Sequence, residues 1–84
     1  MRINVTAKHI RNSRLRGANR CALALAIQDA TGDHHWSVGL EDAYYLDRKI
    51  KLPVRAYRFR LDLDQGKKVQ PFAFNLPVES SNVR

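Results

Sequence analysis

The chain has 84 residues, 44% of them hydrophobic and 27% charged, with fifteen Lys and Arg against eight Asp and Glu for a net charge of +7. That length supports one thin core burying roughly 60–65% of the unfolded surface, so a single domain over residues 1–84 is expected and a disordered chain is excluded. The lone cysteine, Cys21, excludes an internal disulfide and any cysteine-based zinc site. No run approaches eighteen apolar residues, and no apolar signal core follows Met1-Arg2-Ile3-Asn4, so a soluble intracellular protein is the expectation.

In chain order, Ile3-Asn4-Val5 reads as a short strand, and Thr6 as the N-cap of a helical turn through Ala7-Lys8-His9-Ile10. A basic loop, Asn12 to Gly17, leads to the strongest element. This is a helix over 19–31, capped by Asn19 and closed by Gly32 in the left-handed conformation. Cys21 to Ile27 is apolar on all sides, which places this helix at the centre of the core. His34 to Leu40 reads as a strand with Trp36 and Val38 on one face, Glu41-Asp42 as a turn, and Ala43 to Leu46 as a second strand. Ile50 and Leu52 extend the sheet into a meander.

Residues 53–66 carry two conflicting signals. Pro53 and Gly66 suit the start and end of a helix. Tyr57-Arg58-Phe59-Arg60-Leu61-Asp62-Leu63-Asp64 alternates with the period of a strand. Pro71 to Pro77 reads as a last strand at a sheet edge, with Phe72, Phe74 and Leu76 on one face. The tail from Glu79 to Arg84 is expected to be frayed. The fold expected is α+β: a small, mainly antiparallel sheet packed against a buried central helix, with one or two further short helices. Its core would hold Leu23, Leu25, Ile27, Trp36, Val38, Leu61, Phe72 and Phe74.

Charge is segregated along the chain. Residues 1–20 hold six bases and no acid, residues 21–47 five acids and no base, and residues 48–60 six bases and no acid. With an isoelectric point near 10.2 this is the footprint of a polyanion binder, and ten of the fifteen bases are arginine, which suits bidentate contact with phosphate or carboxylate. The competing interpretation is a solvated face that only keeps the protein soluble. The candidate binding set is Arg11, Arg14, Arg16, Arg20, Lys49, Lys51, Arg55 and Arg58, joined by Tyr44 as the outward member of the Tyr44-Tyr45 pair.

No catalytic constellation emerges. His34 and His35, adjacent on a strand, would point to opposite faces and could not grip one metal, so turn or surface histidines are the simpler interpretation. Cys21 in an apolar helix is a packing thiol; the alternative, a nucleophile activated by the helix start and Arg20, lacks a positioned base. Asp62 and Asp64 balance Arg58 and Arg60, and the four glycines form no phosphate loop. A non-enzyme with no cofactor and no metal is therefore expected.

An ordered set of segments runs across residues 3–78. These are Ile-Asn-Val-Thr-x-x-His-Ile (3–10), Ala-Leu-Ala-Ile-x-x-Ala-Thr-Gly (24–32), Ser-Val-Gly (37–39), Leu-Pro (52–53) and Asp-x-Gly-x-x-Val-x-Pro-Phe-x-Phe-x-Leu-Pro (64–77). In this set the chain resembles a group of small proteins encoded by tailed phages and prophages, and is similar to phage anti-CRISPR proteins that act on type I-C surveillance complexes. The resemblance implies a helix over 53–65, against the period-2 signal. It implies an inhibitor that binds a protein subunit of the complex, its arginines engaging acidic protein groups or the bound RNA, and blocks target DNA in the cytoplasm of the infected host. Direct binding of DNA or RNA by a small phage regulator is the alternative; no membrane partner is implied. Relatives in this group often carry Cys-x-x-Cys-Pro where this chain has Ala18-Asn19-Arg20-Cys21-Ala22, so no metal or redox role carries over.

Overall fold

The computed structural model describes residues 1–13 and 20–77. The chain folds as α+β in the order β1 (Arg2–Val5), α1 (Ala7–Asn12), α2 (Ala22–Thr31), β2 (Trp36–Val38), β3 (Asp42–Tyr45), β4 (Arg48–Lys51), α3 (Val54–Asp64) and β5 (Phe72–Asn75). All strand pairs are antiparallel, and they form two sheets: a ribbon, β1–β5, and a meander, β2–β3–β4.

Helix α2 lies at the centre, packed against β1, β2, α1 and α3. Ala22, Leu23, Ala24, Ala26 and Ile27 are all buried, which is what an apolar run with small residues allows: close approach on several sides. Gly32 closes the helix at φ 71°, its N–H donating to the Gln28 carbonyl at 2.8 Å. The helix starts later than its propensities suggest. Cys21 is the N-cap, its Sγ accepting from the Ala24 N–H at 3.4 Å, so the expected start at residue 19 is shortened to Ala22; Asn19 lies outside the described residues.

Helix wins over strand in α3. Ala56, Phe59 and Arg60 are buried at helical spacing, while Tyr57, Leu61 and Leu63 are half-buried. The inner face of this helix thus includes an arginine between Ala56 and the half-buried Tyr57 and Leu61. Pro53 precedes the first turn as N-cap. At the far end the Gly66 N–H donates to Leu63 (3.1 Å) and the Lys67 N–H to Asp62 (2.9 Å), a Schellman closure that needs the left-handed Gly66 at φ 76°.

Three expectations change in detail. The His34–Leu40 strand contracts to Trp36–Val38, because His34 and His35 lie in a turn with their rings stacked 4.6 Å apart. Asp42 belongs to β3, and the turn before it is closed by the Gly39 N–H donating to the Asp42 carbonyl at 2.8 Å. Leu25, Leu61 and Phe72 flank the core half-buried, whereas Ile3, Val5, Ala43, Leu52 and Leu76 are buried in it.

Candidate binding surfaces

The first basic block reaches a cleft between α1 and α2. Thr6 and His9 form a reciprocal cap: the His9 N–H donates to Thr6 Oγ1 at 3.3 Å, and the Thr6 N–H donates to His9 Nδ1 at 3.0 Å. A backbone N–H can only donate, so Nδ1 is the acceptor and the ring proton sits on Nε2. From there it reaches Asp29 Oδ2 at 2.5 Å, tying α1 to α2. Both ring nitrogens are thus engaged, and His9 is a strut with no nitrogen left over as a base. Lys8, Asn12, Arg20 and His34 line the same cleft of about 430 Å³. Arg11 is exposed on α1; Arg14 and Arg16 lie outside the described residues.

The second block divides three ways. In the meander, Ser37 faces Tyr44, Tyr44 faces Lys49, and Asp42 faces Lys51. Opposed residues share a side, so Tyr44, Lys49 and Lys51 stand together on the outer face, while Ala43, Tyr45 and Ile50 point to the core. Lys49 Nζ is 3.9 Å from Asp42 on the same face. Tyr44 lays its ring over Gly39, where a Cβ would meet it at 2.9 Å, and keeps 38% of its surface exposed. Leu40 and Leu46, in the turns on either side of β3, are 69% and 68% exposed.

Arg55 and Arg58 are exposed on α3 and border a groove of about 310 Å³ with Phe59, Asp62, Lys68 and Phe72. The Arg55 guanidinium lies 5.8 Å over the Phe72 ring. Arg55 also borders a cavity of about 440 Å³ with Arg2, Pro53, Ala73, Phe74 and Asn75. The structure therefore brings Arg2 of the first block beside Arg55 of the second. It sets Lys49, Lys51 and Tyr44 on one face and Arg20 in a separate cleft.

Arg60 does something else. It is 8% exposed, and its Nη1 donates to the carbonyls of Val38, at 2.5 Å, and Gly39. Its Nε lies 3.6 Å from Asp64 Oδ2, an ion pair beyond hydrogen-bond reach. Burial pushes the Cys21 thiol up, against the lowering effects of the Ala24 N–H and Arg60, which is opposite to what an activated nucleophile needs. Asp33 accepts from the Tyr45 hydroxyl at 2.5 Å and from the His35 N–H at 2.9 Å, which lowers its carboxyl to about 2.

Sequence reasoning missed Arg2, Lys8 and Lys68 as lining residues and grouped Arg60 with the surface bases. A period-3.6 count in α3 holds the signal for Arg60, since it falls beside Phe59 and one turn from Ala56. Among the described residues no helix is long and apolar enough to cross a membrane. Comparison with family models, curated proteins and solved structures yields no match.

Proposed function

We propose that this protein is a non-catalytic inhibitor that docks on an anionic protein surface, and that its target is a subunit of a phage host's type I-C CRISPR surveillance complex, where it excludes target DNA. The observation that carries a binding role is the outer face of the meander. It shows Tyr44 opposite Lys49 and diagonal to Lys51, with Asp42 on the same face and exposed leucines in the turns at both ends of β3. An exposed aromatic with basic neighbours and apolar flanks is the composition of a protein interface, in which the aromatic anchors and the charges steer. Pure phosphate binding needs no exposed leucines, which favours a protein partner over direct DNA or RNA binding. The choice of a CRISPR complex rests on the resemblance of residues 3–78 to the phage group.

The test is a pull-down and titration with purified surveillance complex, beside gel shifts with free DNA and RNA. Tyr44→Ala should cost about 2 kcal/mol of binding, the scale of an interface anchor. Joint reversal of Lys49 and Lys51 to Glu should slow association, and raised salt should mimic it. Equal binding by folded variants removes this face from the interface. A gel shift with free nucleic acid in the absence of complex affinity would establish the regulator reading instead.

A further inference from the structure

The β1–β5 ribbon has an edge with unused backbone groups. Met1 and Leu76 exchange both bonds, the Leu76 N–H donating to the Met1 carbonyl at 2.7 Å and the Met1 amine to the Leu76 carbonyl at 2.8 Å. In an antiparallel ladder, hydrogen-bonded pairs alternate with pairs whose N–H and C=O groups point away. With Ile3 opposite Phe74 and Val5 opposite Phe72, those pairs continue the bonded set. Asn4–Ala73 and Arg2–Asn75 are then the alternate pairs. Ala73 and Asn75 therefore turn their N–H and C=O groups outward, and among the described residues β5 has no second strand beside it.

The cavity of about 440 Å³ lies against this stretch, with Arg2 and Arg55 in its walls. Arg55 leads on to the groove that also holds Arg58 and Lys68, where Asp62 is the only acid among the described residues. Asp62 is itself 3.7 Å from Lys67 Nζ. We propose that β5 is a strand-addition site: an extended acidic segment of the partner protein pairs with the outward backbone of Ala73 and Asn75, and its carboxylates meet Arg2 and Arg55. This deepens the reading of the protein as a binder of an anionic protein surface and rests on it.

Two features select a peptide over a nucleic acid. An edge that alternates donors and acceptors is matched by another backbone, whereas its carbonyls repel phosphate. The Phe72 ring is already flanked by Phe59 (4.7 Å between centroids), Phe74 (5.7 Å) and the Arg55 guanidinium, so it offers no free platform for a base. The incoming residues that bond to Ala73 and Asn75 lie on the side of Arg2. An acidic residue at every second position would therefore be recognised.

The experiment uses the whole protein and a fluorescein-labelled peptide of alternating glutamate and valine. Fluorescence anisotropy gives affinity, and amide NMR shifts locate contact. Ala73→Pro removes an outward N–H and no ladder bond, so the fold should survive, as edge prolines generally do. It should weaken the peptide about tenfold or more, and Arg2→Glu with Arg55→Glu should do the same, roughly 1.4 kcal/mol or above in each case. Amide shifts should centre on Ala73 and Asn75. Should Ala73→Pro fail to fold, a peptide N-methylated at alternate residues, which cannot pair, replaces it and should bind as weakly. If the arginine reversals abolish binding but both backbone blocks leave it intact, contact is by charge alone and strand addition is overturned. Absence of peptide binding, or stronger binding of a single-stranded RNA probe, also overturns it. Ala73→Pro assayed with the surveillance complex separates the two ideas: full binding there, still lost on reversing Lys49 and Lys51, leaves the meander interface standing while this edge falls.

Discussion

The meander joins consecutive strands through short turns, whereas the ribbon joins Met1 to Leu76 across 75 positions. Their offers to a partner differ accordingly. The meander's backbone is largely paired, with β3 held on both sides, and it shows side chains: Tyr44, Lys49 and Lys51. The ribbon has two strands, each with one edge outside the pair, and it shows backbone groups beside arginines. The twelve bases of the two blocks therefore do not form one uniform patch. Among the described residues, Lys49 and Lys51 stand on a sheet face, Arg2 and Arg55 beside a strand edge and Lys8 and Arg20 in a cleft, while Arg60 serves the fold.

Helix α2 touches both sheets, so the sharpest way to break the comparison is through it. Leu23 and Ile27 are fully buried there. Replacement of either by Ala should cost about 2–5 kcal/mol, measured by chemical denaturation. Amide exchange should then speed up in the meander and the ribbon together. If only one sheet loses protection, the two are separate cooperative units and α2 does not couple them.

Next in size is Arg60, the join between α3 and the end of β2. Arg60→Ala leaves the Val38 and Gly39 carbonyls without their donor and should destabilise by about 2–4 kcal/mol. Arg58→Ala, two residues earlier on the exposed side, should stay within about 0.5 kcal/mol in stability. Equal thermal shifts for the two would mean that Arg60 is not a structural residue.

The Asp33–Tyr45 bond ties the loop after α2 to the meander and gives a pH test. The Asp33 carboxyl is lowered from 3.8 to about 2, first by the Tyr45 hydroxyl. A lowered carboxylate contributes stability that is fully present above its unfolded value and is lost as pH falls through its folded value. Wild type should therefore lose stability as pH falls from about 4 to 2, and Tyr45→Phe should lose less over that interval. The gap between the two proteins, widest near neutrality, should close in acid. Parallel curves would show that the hydroxyl does not set the carboxyl's affinity for protons.

Most of the fold was legible because its signals are local. Thr6, Gly32, Pro53 and Gly66 punctuate the helices, and the alternation of Ile3-Asn4-Val5 gives a strand. The division into two sheets was not legible, since nothing near Phe72 says that it will oppose Val5 rather than a strand of the meander. The site was legible as composition but not as arrangement. Tyr44, Lys49 and Lys51 meet because of a register set by one turn, and Arg2 meets Arg55 only after the ribbon closes. Arg60 was misassigned because a run of alternating arginines looks like solvent-facing charge until two carbonyls are found aimed at it.

The smallest effect concerns Leu46, at the β3–β4 turn. It is the one non-glycine residue with positive φ among those described, at 56°, and it is 68% exposed. A left-handed backbone costs a leucine about 1 kcal/mol, and exposure returns little of that through burial. Asn tolerates this conformation without the unfolded-state entropy of glycine, so Leu46→Asn should stabilise the fold by roughly 0.5 kcal/mol. Strain kept at an exposed apolar residue is expected where a partner uses that residue. The same substitution should therefore weaken binding to the surveillance complex while raising the melting temperature. Opposite signs in the two measurements would place the hairpin tip in the meander's interface. A more stable protein that binds as well as wild type would remove Leu46 from that interface and leave it to Tyr44, the lysines and Leu40.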